Sequence, residues 1–117
     1  MWLWFNDPSV FTTWLDQSKK GDVVHTLRRI PKTNRSIGKE TKVIVRSKYD
    51  PNYRQPAIKT FLMIITSLPQ LRVFWNTQQY PEIRTGFLTP EKWWERAVEL
   101  NKTDEFALYE VRAIRGE

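Results

Sequence analysis

Two signals for the start of a helix place the strongest limits on the fold. Asp7-Pro8 and Thr89-Pro90 each set a capping side chain directly before a proline, which is typical of the first positions of a helix. Helical spacing of apolar residues after Asp7, two lysines and then Gly21 predict a helix over residues 8–19. The second signal predicts a helix that ends near Leu100.

The segments between these helices have the composition of strands. Residues 23–30 and 41–47 are rich in β-branched residues, and a polar, turn-forming stretch separates them. The simplest arrangement is an antiparallel hairpin with a long basic tip. Residues 71–75 predict a short strand, and residues 106–114 predict the last strand.

A third helix is predicted over residues 55–67, because Pro56 suits a first turn and apolar residues cover most of the helix circumference. The element order is then α-β-β-α-β-α-β. This order predicts an α+β fold, with a small antiparallel or mixed sheet of about four strands and three helices. We expect a single domain over residues 1–117, because this length suits one core.

Composition narrows the class of protein. The 117 residues include no cysteine, which argues against a disulfide scaffold and excludes thiolate chemistry. The longest apolar stretch, residues 61–65, is too short to span a bilayer, and the apolar start is too short for a signal peptide. We expect a cytoplasmic protein with no membrane partner. It is a monomer or a homodimer, since residues 1–5 and 71–75 supply apolar surface for self-association.

Positive charge is concentrated in one segment. The net charge is +6, but residues 19–59 alone contain twelve Lys and Arg against three acids. The flanking segments, residues 1–18 and 60–117, are both slightly acidic. Such a local excess favours a polyanionic partner, because each neutralised phosphate relieves repulsion and releases counterions.

The candidate binding residues lie on the predicted hairpin and just beyond it. Strand alternation puts Lys42, Arg46 and Lys48 on one side. Tyr49 and Tyr53 are candidates for stacking on bases, although each could instead pack on the sheet. The full predicted nucleic-acid-binding set is Arg28, Lys32, Arg35, Lys39, Lys42, Arg46, Lys48, Tyr49, Tyr53, Arg54 and Lys59.

These residues predict an accessory protein that binds DNA or RNA through its phosphates, largely without sequence specificity. Two other interpretations stay open. A basic hairpin also serves as a solvated surface that protects sheet edges from aggregation. The same face would equally suit a protein-interaction module, such as a viral inhibitor that docks on a host protein, and charge alone does not separate these functions.

No enzyme motif stands out, and we predict no catalytic residue, metal site or cofactor. His25 is the only histidine, and the four glycines are scattered singly. Glu91, Glu95 and Glu99 form a helical stripe that ordinary ion pairing explains. A small metal-free ribonuclease that uses Tyr, Arg and Lys remains a third hypothesis.

One short segment suggests a source. The run from Trp14 to Val24 passes through a lysine pair into Gly-Asp and a strand, and it resembles the beginning of several small phage-encoded proteins. The resemblance covers about a tenth of the chain. It implies a viral or mobile-element origin, and therefore the host cytoplasm as the location.

Overall fold

The computed structural model describes residues 2–32, 37–78 and 84–114. They form one five-stranded mixed sheet with the strand order β1-β3-β4-β5-β2, in which only the β1–β3 pair is parallel. The elements are β1 (Trp2–Phe5), α1 (Pro8–Lys20), β2 (Val23–Arg29), β3 (Glu40–Ser47), β4 (Asp50–Ile65), α2 (Leu68–Thr77), α3 (Pro90–Asn101) and β5 (Phe106–Ala113). The α+β class is confirmed. The predicted strand number and element order are wrong.

The two helices with cap-then-proline signals begin where the sequence predicts. The Asp7 carboxylate accepts hydrogen bonds from the amide groups of Ser9 and Val10 at the start of α1. Gly21 ends α1 in the left-handed conformation, at φ 74°. The Thr89 hydroxyl accepts from the Lys92 amide at the start of α3. In both helices, the capping side chain therefore determines the residue at which the helix begins.

In two other segments the predicted secondary structure is wrong: the predicted helix is a strand, and the predicted strand is a helix. Residues 55–67 were predicted as a helix, but they belong to the long strand β4. This central strand is flanked on both faces by packed side chains, and a bulge between Phe61 and Met63 interrupts its alternation, so its apolar pattern imitates a helix. Residues 71–75 were predicted as a strand but lie in α2, which Ser67 caps through a bond from the Gln70 amide.

The predicted basic hairpin is wrong as well. Strands at residues 23–29 and 40–47 exist, but β2 pairs with β5 along its whole length and β3 pairs with β4. The reason is local: β4 follows β3 after only Lys48 and Tyr49, so these two strands close the shorter hairpin. β2 lies at the edge of the sheet opposite β1. The start of the chain, to which the sequence analysis assigns no element, supplies edge strand β1.

The sheet curls so that its two edges approach each other. Phe5 is in β1 and Arg28 is in β2, yet the Arg28 guanidinium carbon lies 5.5 Å from the Phe5 ring centre. Helix α1 packs into the resulting concave side, where Trp14 is fully buried. Its apolar neighbours there are Leu3, Phe5, Val24, Val43, Val45, Ala57 and Val111. Burial of this cluster holds both edges to one core.

The convex side is covered over only part of its area. Helices α2 and α3 pack on the end of the sheet that carries Ile65, Phe106 and Leu108, mainly through Trp75 and Trp93. The other end of the convex side, on β1, β3 and the first half of β4, receives no helix from the described part of the chain. Within residues 2–32, 37–78 and 84–114, no helix has the length and apolarity needed to cross a membrane.

Candidate functional site

The uncovered part of the convex side carries aromatic and basic side chains in register. Trp2 is paired with Ile44, and Trp4 with Arg46, across the parallel β1–β3 ladder. Directly paired residues project to the same side of a sheet. Further pairings from β3 through β4 to β5 extend the same surface. We name this surface the Trp–Arg face; its residues are Trp2, Trp4, Lys42, Ile44, Arg46, Arg54, Ile58 and Arg112.

Its central feature is an alternating stack of rings and guanidinium groups. The Arg46 guanidinium carbon lies 4.9 Å from the ring centres of both Trp2 and Trp4. The Arg54 guanidinium carbon is 6.0 Å from the Trp2 ring. These separations are in the range of cation–π attraction. Trp2 and Trp4 are still 53% and 41% exposed, so a large part of each indole remains open to a partner.

Arg46 is held firmly inside this stack. Its terminal nitrogen donates to the Pro51 carbonyl oxygen at 3.1 Å, and its buried Nε has no hydrogen-bond partner in the part of the chain that the structure describes. No carboxylate in the described ranges forms an ion pair with Arg46, Lys42 or Arg54. The positive charge of the face is therefore not cancelled by direct ion pairs.

A carboxylate next to the face is already engaged. Glu110 Oε2 lies 3.3 Å from Nε2 of the buried His25. This hydrogen bond is the main reason that the pKa of Glu110 lies below its usual value, and the nearby charge of Arg112 lowers it further. The position of Glu110 at the boundary leaves the centre of the Trp–Arg face positive.

The predicted binding residues are distributed over several surfaces. Lys42, Arg46 and Arg54 belong to the Trp–Arg face. Lys48 and Tyr49 form the turn between β3 and β4, where the Lys48 ammonium lies 5.3 Å from the Tyr49 ring and the Tyr49 hydroxyl donates to the Asn6 carbonyl. The Tyr49 hydroxyl is thus bound to the backbone, and the residue remains 48% exposed.

Tyr53 packs on the sheet, which is the second of the two roles that the sequence left open. Its hydroxyl oxygen accepts the indole N–H of the buried Trp14 at 2.9 Å, and its ring meets Phe11 edge-on at a centre distance of 5.3 Å. Both neighbours belong to α1, so Tyr53 lies on the concave side of the sheet. Its observed contacts are those of a core residue that satisfies a buried donor.

The remaining cations lie elsewhere. Arg28 and Lys59 are on the concave side, near the ring of Tyr109. Lys32 and Lys39 are exposed on either side of the undescribed residues 33–36, and Arg35 lies outside the described residues. The basic segment therefore supplies both faces of the sheet, because successive strand residues point to opposite sides.

Sequence reasoning missed Trp2, Trp4 and Arg112 as members of the candidate site. A signal was present: in Trp2-Leu3-Trp4-Phe5, the tryptophans alternate with Leu3 and Phe5, as in a strand with two differing faces. The structure follows that alternation, with Leu3 and Phe5 buried and both tryptophans exposed. A four-residue segment was too short to reveal its pairing partner.

Two other kinds of site are not supported by the positions of the charged side chains. Among the residues described, no group of three or more His, Asp or Glu side chains is placed to hold a metal ion. Glu99 on the acidic stripe of α3 pairs with Arg96, which also binds the Asp7 cap of α1. This arrangement joins the two helices. The predicted ion-pairing explanation of Glu99 is thus supported.

Comparison of the chain with protein-family models, with curated proteins and with solved structures gave no match.

Proposed function

We propose that this protein binds single-stranded nucleic acid on the Trp–Arg face. The single observation that carries the proposal is the pair of exposed indoles, Trp2 and Trp4, on either side of an arginine that has no ion-pair partner among the described residues. Bases stack on the exposed parts of the indoles. Phosphates contact the four cations of the face, Lys42, Arg46, Arg54 and Arg112.

This arrangement suits a single strand better than a duplex. Every base has a ring face that can stack on an indole, but in a duplex those faces are already occupied by neighbouring base pairs. Stacking on one aromatic side chain contributes about 1–3 kcal/mol per base. Sequence selectivity is low in this scheme, because stacking and phosphate contacts do not read base edges.

The test is a comparison of Trp4→Ala with Val73→Ala. Val73 is 66% exposed on α2, so its truncation removes exposed apolar surface away from the Trp–Arg face. We expect Trp4→Ala to weaken binding of a labelled single strand about 5- to 150-fold, which corresponds to one lost stacking contact. Val73→Ala should bind like the wild type. Fluorescence anisotropy at low salt, with DNA and RNA strands and their duplexes, measures both effects.

Two results would contradict the proposal. One is an absence of binding to any single strand at low salt. The other is equal affinity for single strands in the wild type and Trp4→Ala, when circular dichroism shows that the variant is folded. A preference between DNA and RNA would refine the function without affecting the role of Trp4.

A protein partner is the second candidate, and the composition of the same face favours it. Trp and Arg are enriched among the residues that dominate protein–protein binding energy. Retention of one protein on the immobilised chain from nuclease-treated lysate, lost in Trp4→Ala but not in Val73→Ala, would support this function. If single strands bind and no protein is retained, the nucleic-acid function stands alone.

A further inference from the structure

A third exposed aromatic ring lies just beyond the Trp–Arg face. The Tyr49 hydroxyl donates to the Asn6 carbonyl oxygen at 2.9 Å, and Asn6 directly follows Phe5, the last residue of β1. Asn6 is two residues beyond Trp4, just as Trp4 is two residues beyond Trp2. Tyr49 is therefore held past the end of β1, on the far side of Trp4 from Trp2. It is 48% exposed, a value between those of the two tryptophans.

Several hydrogen bonds fix the turn that carries Tyr49. The Tyr49 amide donates to the Ser47 hydroxyl at 3.0 Å, while the Tyr49 hydroxyl bond to Asn6 holds the outer end of the ring. The bond from Arg46 to the Pro51 carbonyl oxygen joins the stacked arginine to the strand that leaves the turn. A ring that is ordered before a ligand arrives loses less conformational entropy on binding. The turn thus presents Tyr49 in a fixed position.

Each of the three rings has a cation next to it. The Lys48 ammonium lies 5.3 Å from the Tyr49 ring centre, and the Arg46 guanidinium carbon lies 4.9 Å from both indole centres. The centres of Trp2 and Trp4 are therefore no more than twice 4.9 Å apart, with a guanidinium between them. A base does not fit into that occupied space. Each ring consequently offers only its own exposed part, which suits one base.

We propose that the bound strand is extended, with one nucleotide on each of Trp2, Trp4 and Tyr49, so that the ligand is a single-stranded segment of three nucleotides. This inference rests on the proposed function. Residues two apart in a strand are separated by about 6.6 Å, whereas the stacked bases of one duplex strand repeat every ~3.4 Å. Bases that follow this spacing are too far apart to stack on one another, so they stack on the rings instead.

A length series of oligothymidylates tests the third ring. Strands of two, three, four and six nucleotides compete with a labelled strand in fluorescence anisotropy. For the wild type, affinity should rise about 5- to 150-fold from two to three nucleotides, the contribution of one stacked base. Beyond three, it should rise only with the number of registers in which a longer strand binds. Val73→Ala, the control outside the site, should give the same series.

Two variants of Tyr49 separate its ring from its hydroxyl. Tyr49→Leu keeps apolar volume but has no aromatic face, so the gain from two to three nucleotides should disappear. Its affinity for the dinucleotide should be unchanged, apart from the loss of one of two registers. Tyr49→Phe keeps the ring and removes the bond to Asn6, and it should retain the gain. Circular dichroism checks that both variants are folded.

The proposal is overturned if the wild type gains no affinity at the third nucleotide, or if Tyr49→Leu gains as much as the wild type. It is also overturned if Tyr49→Phe loses the gain as fully as Tyr49→Leu, because the hydroxyl bond and not the ring would then be responsible. The two proposals fail separately. If strands bind and only Trp4→Ala weakens them, the Trp–Arg face remains the binding site and the three-nucleotide ligand is wrong. If no strand binds, the proposed function itself is wrong.

Discussion

Neutralisation of two cations on the Trp–Arg face should change the salt dependence of binding by a calculable amount. The double variant Lys42→Gln/Arg54→Gln removes two charges from side chains that are exposed and have no ion-pair partner in the described part of the chain. Neither is buried, so we expect little effect on the fold. The substitution therefore tests the charge of the face with limited structural disturbance.

The magnitude follows from the number of cations. The face has four, namely Lys42, Arg46, Arg54 and Arg112. If each neutralises one phosphate, the logarithm of affinity for a single strand falls with the logarithm of salt at a slope of about −2.8, and the double variant has a slope of about −1.4. Between about 50 mM and about 200 mM salt, the wild type then loses affinity about 50-fold and the variant about 7-fold.

The assay is a fluorescence-anisotropy titration of a short single strand at several salt concentrations. The control is Lys20→Gln/Lys92→Gln, which changes net charge equally at exposed helical positions on α1 and α3. Its slope should match that of the wild type. If the face variant keeps the wild-type slope, the cations do not contact phosphate. If the control flattens the slope equally, only net charge matters and the assigned surface is wrong.

Three further predictions concern the fold. Tyr53→Phe removes the acceptor of a buried indole N–H and should cost about 1 kcal/mol in urea unfolding while strand affinity is unchanged. Glu110→Gln should lose stability relative to the wild type above about pH 5, because a lowered carboxylate pKa stabilises the fold above its unfolded value of about 4.3. This gap should close as pH falls through the lower folded pKa, as the His25 contact is lost. Gly86→Ala, whose Cβ would lie 3.0 Å from an α1 backbone oxygen, should destabilise more than Gly38→Ala, which meets no atom within 4 Å. Equal unfolding midpoints for the two alanine variants would contradict the close approach of Gly86 to α1.

Local signals predicted the elements that depend on local interactions. The caps Asp7 and Thr89 begin helices because their side chains satisfy amide groups within the next three residues. The type of β4 depends on distant partners, since β3 and β5 bond it on both sides. Its apolar side chains pack on both sides of the sheet, and a bulge next to Phe61 shifts their alternation. The spacing of apolar residues in the sequence reveals neither feature.

The same limit applies to α2. Pro69 directly follows the helix predicted over residues 55–67, but it occupies the first turn of α2, with Ser67 as the cap. Proline is compatible with both readings, because it breaks a preceding helix and fits the start of a following helix. Only the pairing of β4 up to Ile65 decides between them.

The candidate site shows why a dense run of charges does not define a charged surface. Within a strand, residues two apart share a face, so the basic segment sends Lys42 and Arg46 to the convex side and Arg28 and Lys59 to the concave side. Arg28 and Lys59 on the concave side are only partly exposed, so they add little to the charge that a strand on the convex side would meet. On the convex side, Lys42, Arg54 and Arg112 are exposed near the indoles of β1, which is the arrangement that the proposed binding of a strand requires. The density of charge along the sequence therefore overstates the charge of either side of the sheet, and Lys59→Met should leave the affinity for a single strand unchanged while Lys42→Gln/Arg54→Gln lowers it.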